Sequence, residues 1–382
     1  MGRWNHFYPD KTLSPLIKWA GGKEQEIKYI VPNSPDEFTN YYEPFVGGGS
    51  VYTSFRAQHA FINDKSSELM GLYECIARQD GEFFRLMEQM VASWERMLAF
   101  VAGHRELVEH YLAFRRGALS EAEMQRLLLS HIASHLGELE AVVPEELVWH
   151  HDVFREELNV NVVRKIMRMR KIERSKREML VEDVYDNVET AFMSALYMYY
   201  RALYNDAALA SACPSLGTAL FVFIRNYAYS GMFRYNRSGE FNVPYGGIAY
   251  NHKSLRKKLD YYRQESLLRH FANTTLCNLD FEEFFQRHTP GADDFVFLDP
   301  PYDSEFSTYA RNEFTQRDQE RLASYLLHGC AAKWMLVIKN TDFIRSLYEH
   351  QGLTIRSFSK TYLVSFMNRN DRSAEHLMIT NY

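Results

Sequence analysis

The sequence predicts an α/β fold, a Rossmann-like, mostly parallel sheet assembled from both ends of the chain around an inserted, mainly helical domain. Three observations carry that prediction. Between Tyr41 and Asp64 the chain reads as a strand end, a glycine loop, a helix and a second strand ending in an acid, the layout of half a nucleotide-binding fold. Near the other end, Phe295-Val296-Phe297-Leu298 has the composition of a buried parallel strand, and Trp334-Met335-Leu336-Val337-Ile338 of another. From Ser67 to Tyr204, by contrast, apolar residues recur at three- and four-residue spacing with a single proline, Pro144, so that stretch is helical.

At 382 residues the chain is long enough for two cores. Its 46% apolar and 15% aromatic content can fill them, and the aromatic excess also suits stacking on bases. The formal net charge of −5 is unevenly spread. Residues 81–163 hold fourteen acids against seven bases, a net of −7, which leaves +2 elsewhere and room for a local basic groove. Cys75, Cys213, Cys277 and Cys330 are far apart, with neither C-x-x-C spacing nor His partners at ligand spacing, so no zinc and no metal is expected. Reduced thiols in a cytosol are the simplest reading. Met1 to Lys11 has no apolar signal core, and no window approaches the ~18 apolar residues of a membrane span, so a soluble, cytoplasmic protein is expected.

Taken in order, Leu16-Ile17-Lys18-Trp19-Ala20-Gly21-Gly22-Lys23 makes a tight glycine turn, and Glu24 to Val31 suits a short helix before Pro32. Tyr41 to Phe45 reads as a strand end running into Val46-Gly47-Gly48-Gly49-Ser50, followed by a helix over Val51 to Gln58 and a strand over Ala60 to Asp64. Within the helical stretch, Arg164, Lys165, Arg168, Arg170, Lys171, Arg174, Lys176 and Arg177 suit equally a solvated helix face and a contact to nucleic-acid phosphates. Leu216 to Tyr229 is an apolar helix. Arg234 to Gly246, with Ser238-Gly239 between strand-like flanks, predicts a β-hairpin carrying basic and amide side chains. Thr315 to Leu327 reads as the crossover helix, capped by Thr315.

Candidate chemistry sits at Asp299-Pro300-Pro301-Tyr302, because ligands of open α/β sheets bind beyond the carboxyl ends of the strands. The exocyclic nitrogen of adenine is a poor nucleophile, since its lone pair is delocalised into the ring. Asp299 can accept one of its protons and the Pro300 carbonyl the other, localising that pair, while Tyr302 stacks on an extruded base for ~1–3 kcal/mol. A proline-stiffened loop with a surface aspartate is the plainer reading of four residues alone; the buried strand before them and the glycine loop upstream favour the chemical one. Gly47-Gly48-Gly49 allows close backbone approach to a cofactor, and Asp64, seventeen residues after Gly47, is placed to accept hydrogen bonds from ribose hydroxyls. A nicotinamide cofactor uses similar parts, but the loop is not G-x-G-x-x-G. Gly21-Gly22-Lys23 resembles the tail of a phosphate loop, yet Ile17 and Glu24 occupy positions that need glycine and a hydroxyl residue.

Lys18 to Lys23, Glu43-Pro44-Phe45-Val46-Gly47-Gly48-Gly49-Ser50, Asn63-Asp64, Arg234-Tyr235-Asn236 through Gly239-Glu240-Phe241-Asn242-Val243-Pro244, and Asp299-Pro300-Pro301-Tyr302 occur in the order found in the Dam family (D12 class) of adenine-N6 DNA methyltransferases. The ending, Leu377 to Tyr382, is similar to that family's too, and the chain resembles it over roughly residues 13–75 and 195–382. The resemblance implies an S-adenosylmethionine-dependent methyltransferase sheet: residues 1–75 and 270–382 as catalytic domain, 76–190 as helical insertion, and 191–269 as target-recognition region. It implies catalysis at Asp299, Pro300, Pro301 and Tyr302. Cofactor contact falls to Trp19, Ala20, Gly21, Gly22, Lys23, Glu43, Pro44, Phe45, Gly47, Gly49, Ser50, Asp64 and Asp299, and DNA contact to Lys18, Arg234, Asn236, Arg237, Asn242 and Pro244. Lys18 and Arg234 match base-reading positions of relatives that methylate GATC, so GATC or a close variant is expected; contact to phosphates only is the alternative. Double-stranded DNA is the expected partner, with a restriction endonuclease counterpart or a homodimer through the insertion, in a bacterial or phage setting. Methylation of cytosine N4 or of an RNA base uses a similar pocket, but aspartate rather than serine at position 299 leans toward adenine. A non-catalytic nucleic-acid-binding protein on the same fold is the other alternative, against which every chemically required position is occupied. Replacing Asp299 is expected to change stability little, since the site faces a cleft.

Overall fold

The computed structural model describes residues 13–149, 151–301, 314–361 and 373–382. The chain divides into two compact units, Met1–Arg78 with Tyr262–Tyr382, and Gln79–Tyr261, so the helical stretch and the hairpin region fall together in the second. No helix among the described residues is long and apolar enough to cross a membrane.

In the first unit β1 (Asn40–Glu43), β2 (His59–Asn63), β3 (Thr274–Cys277), β4 (Phe295–Leu298) and β5 (Lys333–Lys339) run parallel. β6 (Thr354–Thr361) and β7 (Ser373–Thr380) extend the sheet antiparallel, giving the order β3-β2-β1-β4-β5-β7-β6 among the described residues. A parallel strand covered on both faces needs apolar side chains throughout, and all four residues of β4 are buried. Alternate residues then serve opposite faces. On one, Tyr42, Val296, Leu298, Trp334, Leu336 and Ile338 pack with Phe284 and Phe285 of the helix Phe281–Arg287 and with Leu322 and Leu326 of the helix Gln316–His328. On the other, Phe295 meets Phe38 at 5.4 Å between ring centroids and Tyr41 meets Phe55 at 5.2 Å. The order of strands reverses between β1 and β4, where the chain departs in opposite directions, and such a reversal opens a crevice beyond the strands' carboxyl ends. Thr315 caps the helix Gln316–His328 as the sequence predicts, in a capping box with Asp318.

Two elements differ from the sequence reading. The helix expected over Val51 to Gln58 is a single 3-10 turn, Tyr52–Ser54. There the Thr53 and Ser54 hydroxyls donate to the Gly49 and Ser50 carbonyls at 2.8 and 2.9 Å, and extended Phe55 sends its ring into the aromatic cluster; local hydroxyl bonds and burial override the spacing. The helix expected over Glu24 to Val31 starts only at Ile27 and includes Pro32 in its last turn. The Lys23 carbonyl accepts from both Glu26 and Ile27, so a turn occupies the first residues.

In the second unit the helices Gly81–Gly103, Val181–Asn205 and Pro214–Tyr227 form the core, where Trp94 stacks on Tyr227 at 3.9 Å and donates to the Asn251 carbonyl at 2.8 Å. The run of bases lies mostly on the helix Val163–Ser175, and it divides. Ile166, Met167 and Met169 are buried, whereas Arg164, Arg168, Lys171 and Arg174 are exposed at helical spacing along one face. Arg170 lies 3.7 Å from the buried Glu173 carboxylate, which also accepts from Tyr111 at 2.7 Å, the Met179 amide at 3.0 Å and Arg115 at 3.3 Å. Burial pushes the Glu173 carboxyl up, and those bonds outweigh it and hold it below the usual carboxylate range. The expected hairpin is held by single antiparallel bridges, Tyr235 opposite Phe241 and Ala228 opposite Tyr245. Asn236 Oδ1 accepts the Ser238 and Glu240 amides at 3.0 and 2.9 Å, an Asx turn that takes the place of a longer ladder.

Trp334 is 1% exposed and donates its indole N–H to the Leu326 carbonyl. Trp334→Ala is expected to destabilise the sheet unit by about 3–5 kcal/mol, read as a lower urea midpoint in circular dichroism.

Candidate active site

Three segments converge where the strand order reverses. After β1 the chain turns into the glycine loop, and Gly47 takes φ +51°, a conformation that L side chains rarely adopt. A Cβ on Gly48 would lie 2.3 Å from the Ile17 carbonyl oxygen, so only glycine lets the loop lie against the 16–19 segment, where the Leu16 amide donates to the Gly48 carbonyl at 2.9 Å. After β2, Asn63 clamps three strand ends: its amide donates to the Pro44 and Leu279 carbonyls, both at 3.0 Å, and its oxygen accepts the Leu279 amide at 2.8 Å. Asp64 follows, its Oδ2 accepting from Gly47 at 3.1 Å and its Oδ1 from Ser66 at 2.9 Å. After β4 come Asp299, Pro300 and Pro301, and buried Gln319 donates to the Pro301 carbonyl at 2.9 Å.

These segments line a cavity of about 330 Å³. Trp19, Ala20, Gly21, Gly22, Lys23, Glu43, Pro44, Phe45, Gly47, Ser50, Asp64, Asp299, Pro300 and Pro301 all face it. Gly49 does not line it and instead lies against Tyr73. Tyr302 falls outside the described residues. Lys65, Leu279, Asp280, Phe281, Phe314 and Asp318 also line the cavity and escaped the sequence reading. The signal for them was faint, because β3 is only four partly buried residues and Asp280 reads as an ordinary cap, accepting the Glu282 amide at 3.0 Å.

Charge in the cavity is arranged around Lys23, which is 2% exposed. Its ammonium donates to the Gly21 carbonyl at 2.9 Å and pairs with Asp299 Oδ1 at 2.5 Å. Asp299→Ala removes the carboxylate paired with a buried ammonium, so a loss of stability is expected in place of little change. Glu43 accepts the Tyr41 hydroxyl at 2.6 Å. Burial, with repulsion from Asp299, pushes its carboxyl well above the usual range despite that bond. Burial likewise pushes Asp64 up to about 6, against the Ser66, Gly47 and Lys65 amides that favour its anion. The site thus offers a carboxylate fixed by a cation, an acid whose charged form burial disfavours, and a second carboxyl pushed up to about 6.

Of the residues expected to touch DNA, Lys18 is exposed beside Trp19 and does not line the cavity. Arg234, Arg237 and Pro244 are exposed on the hairpin, above the buried Phe233, Phe241 and Val243. Both hairpin amides make bonds within it: Asn242 Oδ1 accepts from Arg234 Nε at 3.1 Å, and Asn236 shapes the turn and donates to Glu240 at 2.9 Å.

Residues 19–134 and 148–362 match the family described as D12 class N6 adenine-specific DNA methyltransferase. Most of the stretch read as an insertion falls inside that match, which passes over 135–147. Among curated relatives, the chain is 24% identical over 374 residues to the Type II methyltransferase M.CviBI of Paramecium bursaria Chlorella virus NC1A, covering 97% of this chain and 100% of the relative. It is 26% identical over 389 residues to the Type II methyltransferase M.MjaIII of Methanocaldococcus jannaschii, covering 97% and 99%. To the DNA adenine methylase of Escherichia coli strain K12 it is 31% identical over 170 residues, 42% of this chain and 56% of that protein. A match of this extent, on a parallel sheet with a glycine loop and an acid-proline-proline turn at one strand reversal, shows that the chain belongs to the D12 class of N6 adenine-specific DNA methyltransferases.

Proposed function

We propose that the methyl donor is S-adenosylmethionine and that the acceptor is an adenine flipped out of double-stranded DNA, within GATC or a close variant. The observation that supports this best is the Lys23–Asp299 pair at the carboxyl end of β4, 2.5 Å long and facing the cavity. The cavity suits the donor. Asp64 keeps acceptor capacity beyond its three amide bonds, because an ionised carboxylate offers about four lone-pair sites, and a ribose diol can use it. Trp19, Phe45, Phe281 and Phe314 give apolar walls for an adenosyl group, and the glycine loop admits close approach. When bound, the donor supplies a methyl group activated by a sulfonium.

The chain's own residues then act on the target base. Lys23 fixes one oxygen of Asp299, so the carboxylate accepts an N6 proton in one orientation, and the Pro300 carbonyl accepts the other. Gln319 restrains the loop through Pro301. No residue removes a proton before attack: the Asp299 carboxylate and the Pro300 carbonyl accept hydrogen bonds only, and the surplus N6 proton, acidified by the new methyl group, leaves to solvent afterwards. The exposed stripe Arg164, Arg168, Lys171 and Arg174 suits contact with DNA phosphates. Relatives named Type II methyltransferases suggest a companion restriction endonuclease; a homodimer through the helical unit is the other assembly in view.

Tritiated methyl transfer to duplex DNA tests the mechanism. Asp299→Asn and Lys23→Met are each expected to slow turnover about 10²–10³-fold at saturating donor. Near-normal turnover by Asp299→Asn would falsify the catalytic assignment.

Because the Asp64 anion is the better acceptor and its carboxyl titrates at about 6, donor affinity should fall as pH drops through that value and level off above it. Asp64→Asn should bind weakly and flatten the profile. Calorimetric titration between acid and neutral pH checks this, and an unchanged profile in the variant removes Asp64 from the donor site.

Arg234→Ala should lose ~1–3 kcal/mol of discrimination at one base if its guanidinium reads a guanine. Methylation rates on substrates varied one base at a time report this. A uniform drop with a shallower salt dependence would assign Arg234 to a phosphate instead.

A further inference from the structure

The spacing of the cysteines offers no metal site, but folding of the helical unit gathers three histidines. His131 and His135 stand one turn apart at the end of the helix Glu121–Ser134, and His104 caps the helix Gly81–Gly103. We propose that His104, His131 and His135, with Glu138 beside them, bind a divalent first-row transition metal of the zinc type. One ring nitrogen from each lies within 4.8 Å of the other two, and the ring centroids are 5.1, 4.5 and 4.4 Å apart.

Hydrogen bonding prepares the ligand atoms. The His104 Nδ1 lies 2.8 Å from the Phe100 carbonyl and the His135 Nδ1 2.9 Å from the His131 carbonyl. A carbonyl only accepts, so Nδ1 carries the proton and the lone pair resides on Nε2 in both rings. His131 is 8% exposed, with Nδ1 3.7 Å from Glu106 Oε1 and a buried Nε2 that has no hydrogen-bond partner. An orphaned buried nitrogen on one side of an imidazole and a carboxylate on the other is the arrangement that metal-bound histidines use. Glu138 Oε2 lies 3.9 Å from His104 Nε2, and a tetrahedral zinc takes a fourth ligand beyond three histidines. Phe100 covers the cluster, its ring 4.1, 6.3 and 6.2 Å from those of His104, His131 and His135. Nitrogens around a tetrahedral zinc lie about 3.4 Å apart, so the widest pair closes by about 1.4 Å on binding. The metal would tie the ends of two helices together, far in role from methyl transfer. His135 and Glu138 lie in the stretch 135–147 that the family match passes over.

Cobalt(II) serves as the probe, titrated into the chelator-stripped full chain. Saturation at one equivalent is expected, with the visible bands of a four-coordinate nitrogen and oxygen site, no thiolate charge-transfer band, and displacement by zinc. Zinc should also raise the thermal midpoint. His104→Gln and His135→Gln should lose both the bands and the zinc-dependent shift while keeping a helical circular dichroism spectrum, and Glu106→Gln should weaken cobalt about 10–100-fold. Absence of saturable uptake, bands that survive in both histidine variants, or a thiolate band placing the metal on cysteines would each overturn the site.

Discussion

A buried ammonium and the carboxylate it meets at the cavity wall set the geometry on which the candidate active site depends. Lys23 and Asp299 come from opposite ends of the sequence, one from the glycine turn before β1 and the other from the end of β4, and they meet at 2.5 Å. A buried pair of this kind adds little net stability, because desolvation offsets most of its attraction. What it supplies is direction. Lys23 is anchored in turn by the Gly21 carbonyl, and the glycine loop lies against the 16–19 segment next to it. The glycines at 21, 47 and 48 are thus conditions for placing one charge.

Three carboxyl groups around one cavity end in different states for reasons of environment alone. Asp299 has a cation in contact; Glu43 is deeply buried with the Tyr41 phenol and the Tyr52 amide bonded to it; Asp64 has backbone amides and partial burial. The first is fixed by a cation, the second is pushed toward its neutral form by burial, and the third is pushed up to about 6. Sequence shows three acids, and packing decides what each can do.

Much of the sheet was legible because its strongest signals are local. The four buried residues of β4 and the apolar run in β5 admit no other reading, and their carboxyl ends locate the crevice. The cap at Thr315 was legible for the same reason. The turn at Tyr52–Ser54 was not, because its shape depends on where Phe55 finds aromatic partners contributed by β1 and β4. Asp280 and Phe281 were missed because β3 is short and half-exposed, so nothing in its composition marks a strand end. The histidine cluster was invisible for a related reason: the i, i+4 pair at 131 and 135 gains meaning only when His104 arrives from another helix.

The sheet's connectivity also bears on how the protein is made. Where β1 adjoins β4, the Asn40 amide bonds to Asp294 across 254 residues of sequence, whereas the helices between them assemble from nearer neighbours. Synthesis delivers β1 and β2 long before their central partner, and contacts of such long range close slowly. The last segment matters as well, since Asn381 accepts the Trp334 amide at 2.8 Å and donates to the Ala332 carbonyl at 2.9 Å. During translation the helical unit can therefore complete itself while two apolar strands wait with open edges, the state most exposed to mispairing and to chaperone capture.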